Sequence, residues 1–384
     1  MSRIAFSLVG GAHQFLHGLP VAAALSRRAG VEVEAFVARR CDARAARELL
    51  VQLDGPAVQV REMSLPGWLE ALAARGGAQS PLKVLRLARW AATLRGFDGI
   101  VALERTSAFL KQLPGRCPPL VQIPHGVGGA RRAGGGGVDR RLALFDRALV
   151  SGEADRASTV ALGLLEDAQI DVVGQVKLAG LRRLGRLERH RLFANQRPTV
   201  LYNPHFHARR GTWKTYGRAL IEALRRDGRF NLVVAPHVRL CEGMGEAERA
   251  QLRGLSDPDW LLVDPGSQAS MDMTYTLGAD IYLGDFSSQL YEWLIYQRPC
   301  VFIDQVGDGG RDDTKLPEMW STGEVVHRIE DVLPALERAS ARHGEFAPHQ
   351  AEIVHHAVGD PNLPSDEIAA ARILAMLESA REEA

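Results

Sequence analysis

Short apolar runs bounded by turn residues recur along the first half of the chain: Ile4 to Val9, Val31 to Val37, Gly99 to Leu103, Leu120 to Ile123 and Ala148 to Val150. Runs this short predict buried strands, and the longer segments between several of them have helical spacing. Strand alternating with helix predicts a parallel sheet covered on both faces. An arginine-rich stretch, LAGLRRLGRLERHRLFANQRP, then ends at Pro198 and the pattern starts again, with runs at Thr199 to Tyr202, Leu232 to Ala235, Trp260 to Val263, Asp280 to Leu283 and Cys300 to Ile303. The expected fold class is α/β, with two doubly wound, Rossmann-like domains facing a central cleft. Residues 1–185 make the first domain, 196–362 the second and 363–384 a closing helix, with the linker near 183–197. In such sheets functional residues sit just after strands.

Composition adds exclusions. A chain of 384 residues that is 46% hydrophobic fills two cores. Lysine plus arginine number 47 against 46 acidic residues, which lacks the basic footprint of a nucleic-acid binder, so no nucleic-acid partner is expected. Cys41, Cys117, Cys241 and Cys300 lie far apart without a C-x-x-C pair and read as reduced thiols, not as disulfides or zinc ligands. The opening MSRIAFSLVGG lacks the longer apolar core of a signal peptide, and no stretch approaches the roughly 20 apolar residues that span a bilayer. A cytoplasmic protein is expected. Residues 81–97, PLKVLRLARWAATLRGF, set Leu85, Leu87, Trp90 and Leu94 among Lys83, Arg86, Arg89 and Arg95. A basic amphipathic helix of this kind either lies on an anionic membrane surface or packs on a sheet with its arginines solvated. The glycine run Ala133 to Gly137 predicts a loop.

The residues with most chemical content are in ADIYLGDFSSQLYEWLIYQRPCVFID, 279–304, which reads as strand, turn, helix and strand. Free N–H groups at the start of that helix, the dipole and the hydroxyls of Ser287 and Ser288 favour a phosphate, while Asp285 or a serine can equally cap the helix without any ligand. Glu292, two turns in, suits ribose hydroxyls or solvent. His125 follows a strand, where a neutral imidazole can take a proton from an attacking hydroxyl. His237 also follows a strand and as a donor can bind a phosphate oxygen. Asn203 ends another strand. His205 and His207 flank Phe206, and a metal pair is the minority reading of them. His13 and His17 follow Gly10-Gly11, on the expected acceptor side. Asp257-Pro258-Asp259 reads as a turn, not as a metal motif; no metal site is expected.

Several of these pieces, taken in order, resemble the CDP-glycerol glycerophosphotransferase family. Val121-Gln122-Ile123-Pro124-His125-Gly126 is similar to its W-H-G-T-P segment, Asp171-Val172-Val173-Gly174 to its G-x-P-R turn, and Leu201-Tyr202-Asn203-Pro204 to its Y-A-P-T-W. Ala235-Pro236-His237 falls at its His-Pro element and Asp285-Phe286-Ser287-Ser288 at its D-Y-S-S, with Arg298-Pro299 at its R-P-V strand. The chain departs from the pattern at Val127-Gly128-Gly129-Ala130, at His205-Phe206-His207 and at Gln175-Val176-Lys177. The resemblance covers roughly residues 120–330 and implies a GT-B fold and transfer of a polyol phosphate from a CDP-activated donor to a hydroxyl of a glycan or lipid-linked acceptor. It implies His125 and His237 as catalytic residues, Asn203, Asp285, Ser287, Ser288 and Glu292 as donor-binding, His13 and His17 as acceptor-binding, and no cofactor beyond the nucleotide-activated donor. A GT-B glycosyltransferase using a nucleotide sugar stays open, as do a nucleotide-sugar 2-epimerase, whose S-G-G turn is Phe286-Ser287-Ser288 here, and a silent binding module.

Overall fold

The computed structural model describes residues 1–74, 79–127, 138–241, 244–285, 287, 289–309 and 316–382. The glycine run, Phe286 and Ser288 lie outside the described residues. The chain divides into two compact units, Met1–Arg186 joined by His355–Ala384, and Leu187–Val354.

The first unit carries seven parallel strands: β1 Ser2–Leu8, β2 Val31–Val37, β3 Gln59–Glu62, β4 Gly99–Ala102, β5 Leu120–Gln122, β6 Arg147–Val150 and β7 Ile170–Val172. Their order is β3-β2-β1-β4-β5-β6-β7, so the winding reverses between β1 and β4. Ile4 stands in register with Val33 on one side and Gly99 on the other. Alternation along β1 sends Ile4, Phe6 and Leu8 into one apolar layer and Ala5 into the other, which is why this strand reads as continuously hydrophobic.

The second unit repeats the plan with β8 Thr199–Asn203, β9 Asn231–Val234, β10 Leu261–Val263, β11 Ile281–Gly284, β12 Cys300–Ile303 and β13 Glu324–Val326. The order β10-β9-β8-β11-β12-β13, all parallel, puts the reversal between β8 and β11. In each unit the residues just past the central strands are therefore the ones the fold presents to a ligand.

The helix Ser365–Glu382 packs into the first unit's core through Ala369, Ala370, Ile373 and Leu377. Gly99 makes room for it: a Cβ there would meet Leu377 Cδ2 at 2.8 Å. Burying one leucine contributes about 1.5–3 kcal/mol. Arg183 pairs with Asp366 and Glu367, and Arg27 and Arg28 also reach Glu367.

The helix Gln79–Leu94 covers the expected membrane-surface segment and sinks Leu87, Ala91 and Leu94 into the core. Arg86 is 5% exposed and donates to both oxygens of Glu70 at 2.6 Å and to Met63 O. Lys83 pairs with Glu104 at 2.8 Å, and Arg95 donates to the carbonyls of Pro114, Gly115 and Arg116. Three of the segment's four cations are thus paired within the fold, while Arg89 and Leu85 are exposed. Among the described residues no helix is long and apolar enough to cross a membrane.

Gly152 abuts the returning segment, since an added Cβ would lie 2.5 Å from Ala357 O and 2.7 Å from His356 O. Backbone cannot step aside as a side chain can, so Gly152→Ala is expected to lower the thermal midpoint by an overpacking cost of about 1–3 kcal/mol. Gly344→Ala, inside the helix Val332–Ala357 with nothing within 4 Å of the new methyl, is expected instead to raise it, by about 0.5–1 kcal/mol. The Glu70 carboxyl is held below its ordinary value by the Arg86 hydrogen bonds, against the opposing effect of burial. Its contribution is complete above the ordinary glutamate value and lost as pH falls through the lower folded value. Urea unfolding of Glu70→Gln should accordingly show a stability deficit at pH 7 that shrinks below pH ~4.

Candidate functional site

In the first unit the sharp turn after β1 sets the scene. Gly11 holds φ 102°, a left-handed conformation that favours glycine, and a short 3-10 turn, Ala12–Gln14, follows. Gly10 N–H donates to Gln14 Oε1 at 3.0 Å. A Cβ on Gly10 would come within 2.1 Å of Gln14 Nε2 and 2.3 Å of Glu104 Oε1, so glycine is required for the side chains to close over the turn. Gln14 Nε2 is buried without a hydrogen-bond partner among the described residues.

His13 and His125 meet edge to face with ring centroids 5.4 Å apart, which brings one expected acceptor-side histidine to the expected base. His125 Nδ1 lies 2.7 Å from Leu103 O at the end of β4. A carbonyl can only accept, so Nδ1 carries the hydrogen and the neutral ring keeps its lone pair on Nε2. That is the form a general base needs. His17 sits deeper, 6% exposed, against a cavity of about 10 Å³ shared with Pro124, Gly126, Ser151 and Gln175. This space holds about one water molecule. Glu104 and Gln14 join the site without having been singled out in the sequence, and Lys83, read there only as part of a basic helix face, pairs with Glu104. Nothing in the order of residues signals that a helix lysine far along the chain reaches a strand-end glutamate.

In the second unit Asp285 and Asn203, both expected at the donor, are tied into the fold by hydrogen bonds. Asp285 is 1% exposed; Oδ1 accepts from His205 N at 2.9 Å, and Oδ2 accepts from Thr212 N at 2.6 Å and Thr212 Oγ1 at 2.8 Å. Tyr202 OH lies 2.8 Å from Thr212 Oγ1, and burial together with the Asp285 charge raises the Tyr202 phenol well above its ordinary value. Trp320 Nε1 donates to Asp285 O at 2.9 Å. Asn203, also 1% exposed, donates to Ala235 O at 2.6 Å and accepts from Tyr282 OH at 3.3 Å. Both side chains bind strand ends and loops to one another.

Ser287 Oγ accepts from Gln289 N at 3.2 Å at the start of the short helix Gln289–Leu294 and also interacts with the Tyr282 hydroxyl. It is 2% exposed, and the contact with Gln289 N is of the kind that caps a helix start. Glu292 is 7% exposed in the same helix, where a solvated carboxylate does not fit. His237 lies just past β9 with its ring 5.0 Å from that of His205. Its Nδ1 accepts from Arg239 N at 3.2 Å, which places the ring hydrogen on Nε2 as a donor. Asp257 accepts from Asp259 N and Trp260 Nε1, as a turn requires.

Removing the Asp285 carboxylate leaves three inward-facing donors without their acceptor, each costing about 1–3 kcal/mol. Asp285→Ala is expected to destabilise the protein by at least ~3 kcal/mol. It should also speed amide hydrogen exchange across residues 204–212 while leaving β2 unchanged, as followed by mass spectrometry.

No protein-family model matches the chain, and no curated protein does. Solved structures are similar over nearly its whole length. The UDP-GlcNAc 2-epimerase of Neisseria meningitidis, bound to UDP-GlcNAc, superposes with a TM-score of 0.66 at 12% identity, over 97% of this chain and 100% of that one. The wall teichoic acid polymerase TagF, soaked with CDPG, gives 0.64 at 11% identity, over 99% and 90%. MnaA of S. aureus with UDP gives 0.63 at 12%, over 97% and 95%. At these identities the likeness is one of fold: two Rossmann-like units of the GT-B type.

Proposed function

We propose that this chain is a nucleotide-dependent transferase that moves a polyol phosphate from a CDP-linked donor to an acceptor hydroxyl. The observation that carries the reading is the 2.7 Å contact of His125 Nδ1 with Leu103 O, which puts the ring hydrogen on Nδ1 and the lone pair on Nε2. The acceptor O–H gives its proton to His125 Nε2 as the oxygen bonds to the distal phosphorus. The bond from that phosphorus to the bridging oxygen breaks, and CMP leaves with the electron pair. His237, through Nε2–H, meets the charge that develops on the phosphate. Positioning and electrostatics account for such a transfer without a dedicated cofactor. The ordered set of family-like segments and the shared fold of TagF in the presence of CDPG support this donor. The acceptor expected is a hydroxyl of a glycan or lipid-linked polymer.

The second reading is a nucleotide-sugar 2-epimerase. It is favoured by the likeness to the Neisseria enzyme, which spans 100% of that chain, and by the Glu104 carboxylate beside the β1 turn. A glycosyltransferase would release a nucleoside diphosphate. Products separate the three: CMP formed from CDP-glycerol only when a polyol acceptor is present supports the transferase, a released diphosphate supports glycosyl transfer, and acceptor-free isomerisation of UDP-GlcNAc supports the epimerase. His125→Ala is expected to lower kcat for CMP release by about 10²–10⁴ with the fold intact, the usual worth of a general base. Unchanged turnover in that variant would sink the mechanism.

A further inference from the structure

Three histidines of the second unit share one local turn. The main-chain N–H two residues further on donates to the ring Nδ1, from His207 to His205, from Arg209 to His207 and from Arg239 to His237, each at 3.2 Å. Arg210 N–H gives His207 Nδ1 a second donor at 3.2 Å. A ring nitrogen that accepts must hold a lone pair, so the single hydrogen of each neutral imidazole sits on Nε2. This is the reverse of His125.

Two of the three come together. His205 and His237 rings stand 5.0 Å apart, with Phe206 4.1 Å from the first and 4.8 Å from the second, and the Arg239 guanidinium 4.2 Å above Phe206. Both histidines are half-buried just beyond β8 and β9, whereas His207 is exposed. Two N–H donors and a cation therefore gather on one aromatic cluster. The carboxylate bonded to this loop, Asp285, already accepts from His205 N and from Thr212, which offsets its charge at short range.

We propose that His205 and His237 form a two-donor site for a phosphate group, with Arg239 adding long-range attraction. The proposal rests on the transferase reading only in assigning the phosphate to a nucleotide donor. It adds His205 to that site and fixes the hydrogen on Nε2 of both rings. A divalent metal suits these rings poorly, because coordination through Nε2 needs a lone pair there while the neutral ring has spent its only one on the main-chain N–H. Metal binding would have to break the turn. The site therefore selects an anion, and the sequence signal for it is the spacing of a histidine two residues before a main-chain donor in a strand-end loop.

The test uses the full chain and calorimetric titration with CMP, inorganic pyrophosphate and cytidine. CMP and pyrophosphate are expected to bind the wild type. His205→Ala and His237→Ala should each weaken both by about tenfold, the worth of one hydrogen bond to a charged group, with cytidine affinity unchanged. His205→Gln can accept from His207 N and still donate, so it should keep CMP affinity within about threefold and show that any loss in the alanine variant is not a folding defect. Long-range ¹⁵N histidine spectra should show the Nε2–H tautomer at both positions. CMP bound equally by wild type and His205→Ala overturns the proposal. So does a wild type that binds neither CMP nor pyrophosphate, or a thermal midpoint raised by Zn²⁺ or Ni²⁺ in the wild type but not in His205→Ala. CMP binding with the expected losses, but no CMP released from CDP-glycerol, upholds the anion site while refuting the transferase.

Discussion

The Asp285 carboxylate, buried at the end of β11 and accepting hydrogen bonds from His205 N, Thr212 N and Thr212 Oγ1, determines where the loop after β8 can go. A main-chain donor left without a partner in such a place costs more than a normal hydrogen bond returns, so the loop has one low-energy position. Tyr202 extends the chain of contacts through Thr212, and Trp320 closes it on the Asp285 carbonyl. Everything the second unit offers at this edge hangs on that anchor. The rings of His205 and Phe206 are held because their backbone is held.

The two units reach opposite outcomes with the same side chain. His125 gives its Nδ1 hydrogen to a carbonyl, and His237 takes a main-chain N–H on the same atom. One ring is thereby left with an acceptor and the other with a donor on Nε2. The difference comes from which backbone group passes by, since a neutral imidazole has a single hydrogen to place.

This difference also shows how much was legible in the sequence. Cys300–Ile303 is a strand with the bounds its apolar run suggests, because a strand buried on both faces leaves an unbroken hydrophobic signal, and Val31–Val37 is one too although Glu32 and Glu34 interrupt its run. Gln59–Glu62, Ile170–Val172 and Glu324–Val326 gave no such signal, since each is only three or four residues long and includes charged positions, Arg61 and Glu62, Asp171, and Glu324. A histidine just past a strand was readable at 125 and 237. Its tautomer was not, for that depends on a contact the chain makes only when folded. The same holds for Asp285: its place past β11 was readable, but not the three donors from another loop that it accepts. Lys83 and Arg86 looked like an outward basic stripe because periodicity records spacing around a helix and not which long side chains turn back to a glutamate.

The seating of Ser365–Glu382 on the first sheet, with Gly152 close against Ala357, has a consequence for the order in which the molecule is made. The Leu187–Val354 unit is contiguous, so all of its strands leave the ribosome together and can pair at once. The first unit is interrupted: its sheet is synthesised early, but Ala369, Ile373 and Leu377, which cover one face of it, are not made until the second unit is complete. During translation the early unit waits with only that part of its apolar layer open, the rest being filled by residues such as Leu19 and Leu50, which makes the earlier-made half the later one to finish and the more dependent on protection from aggregation.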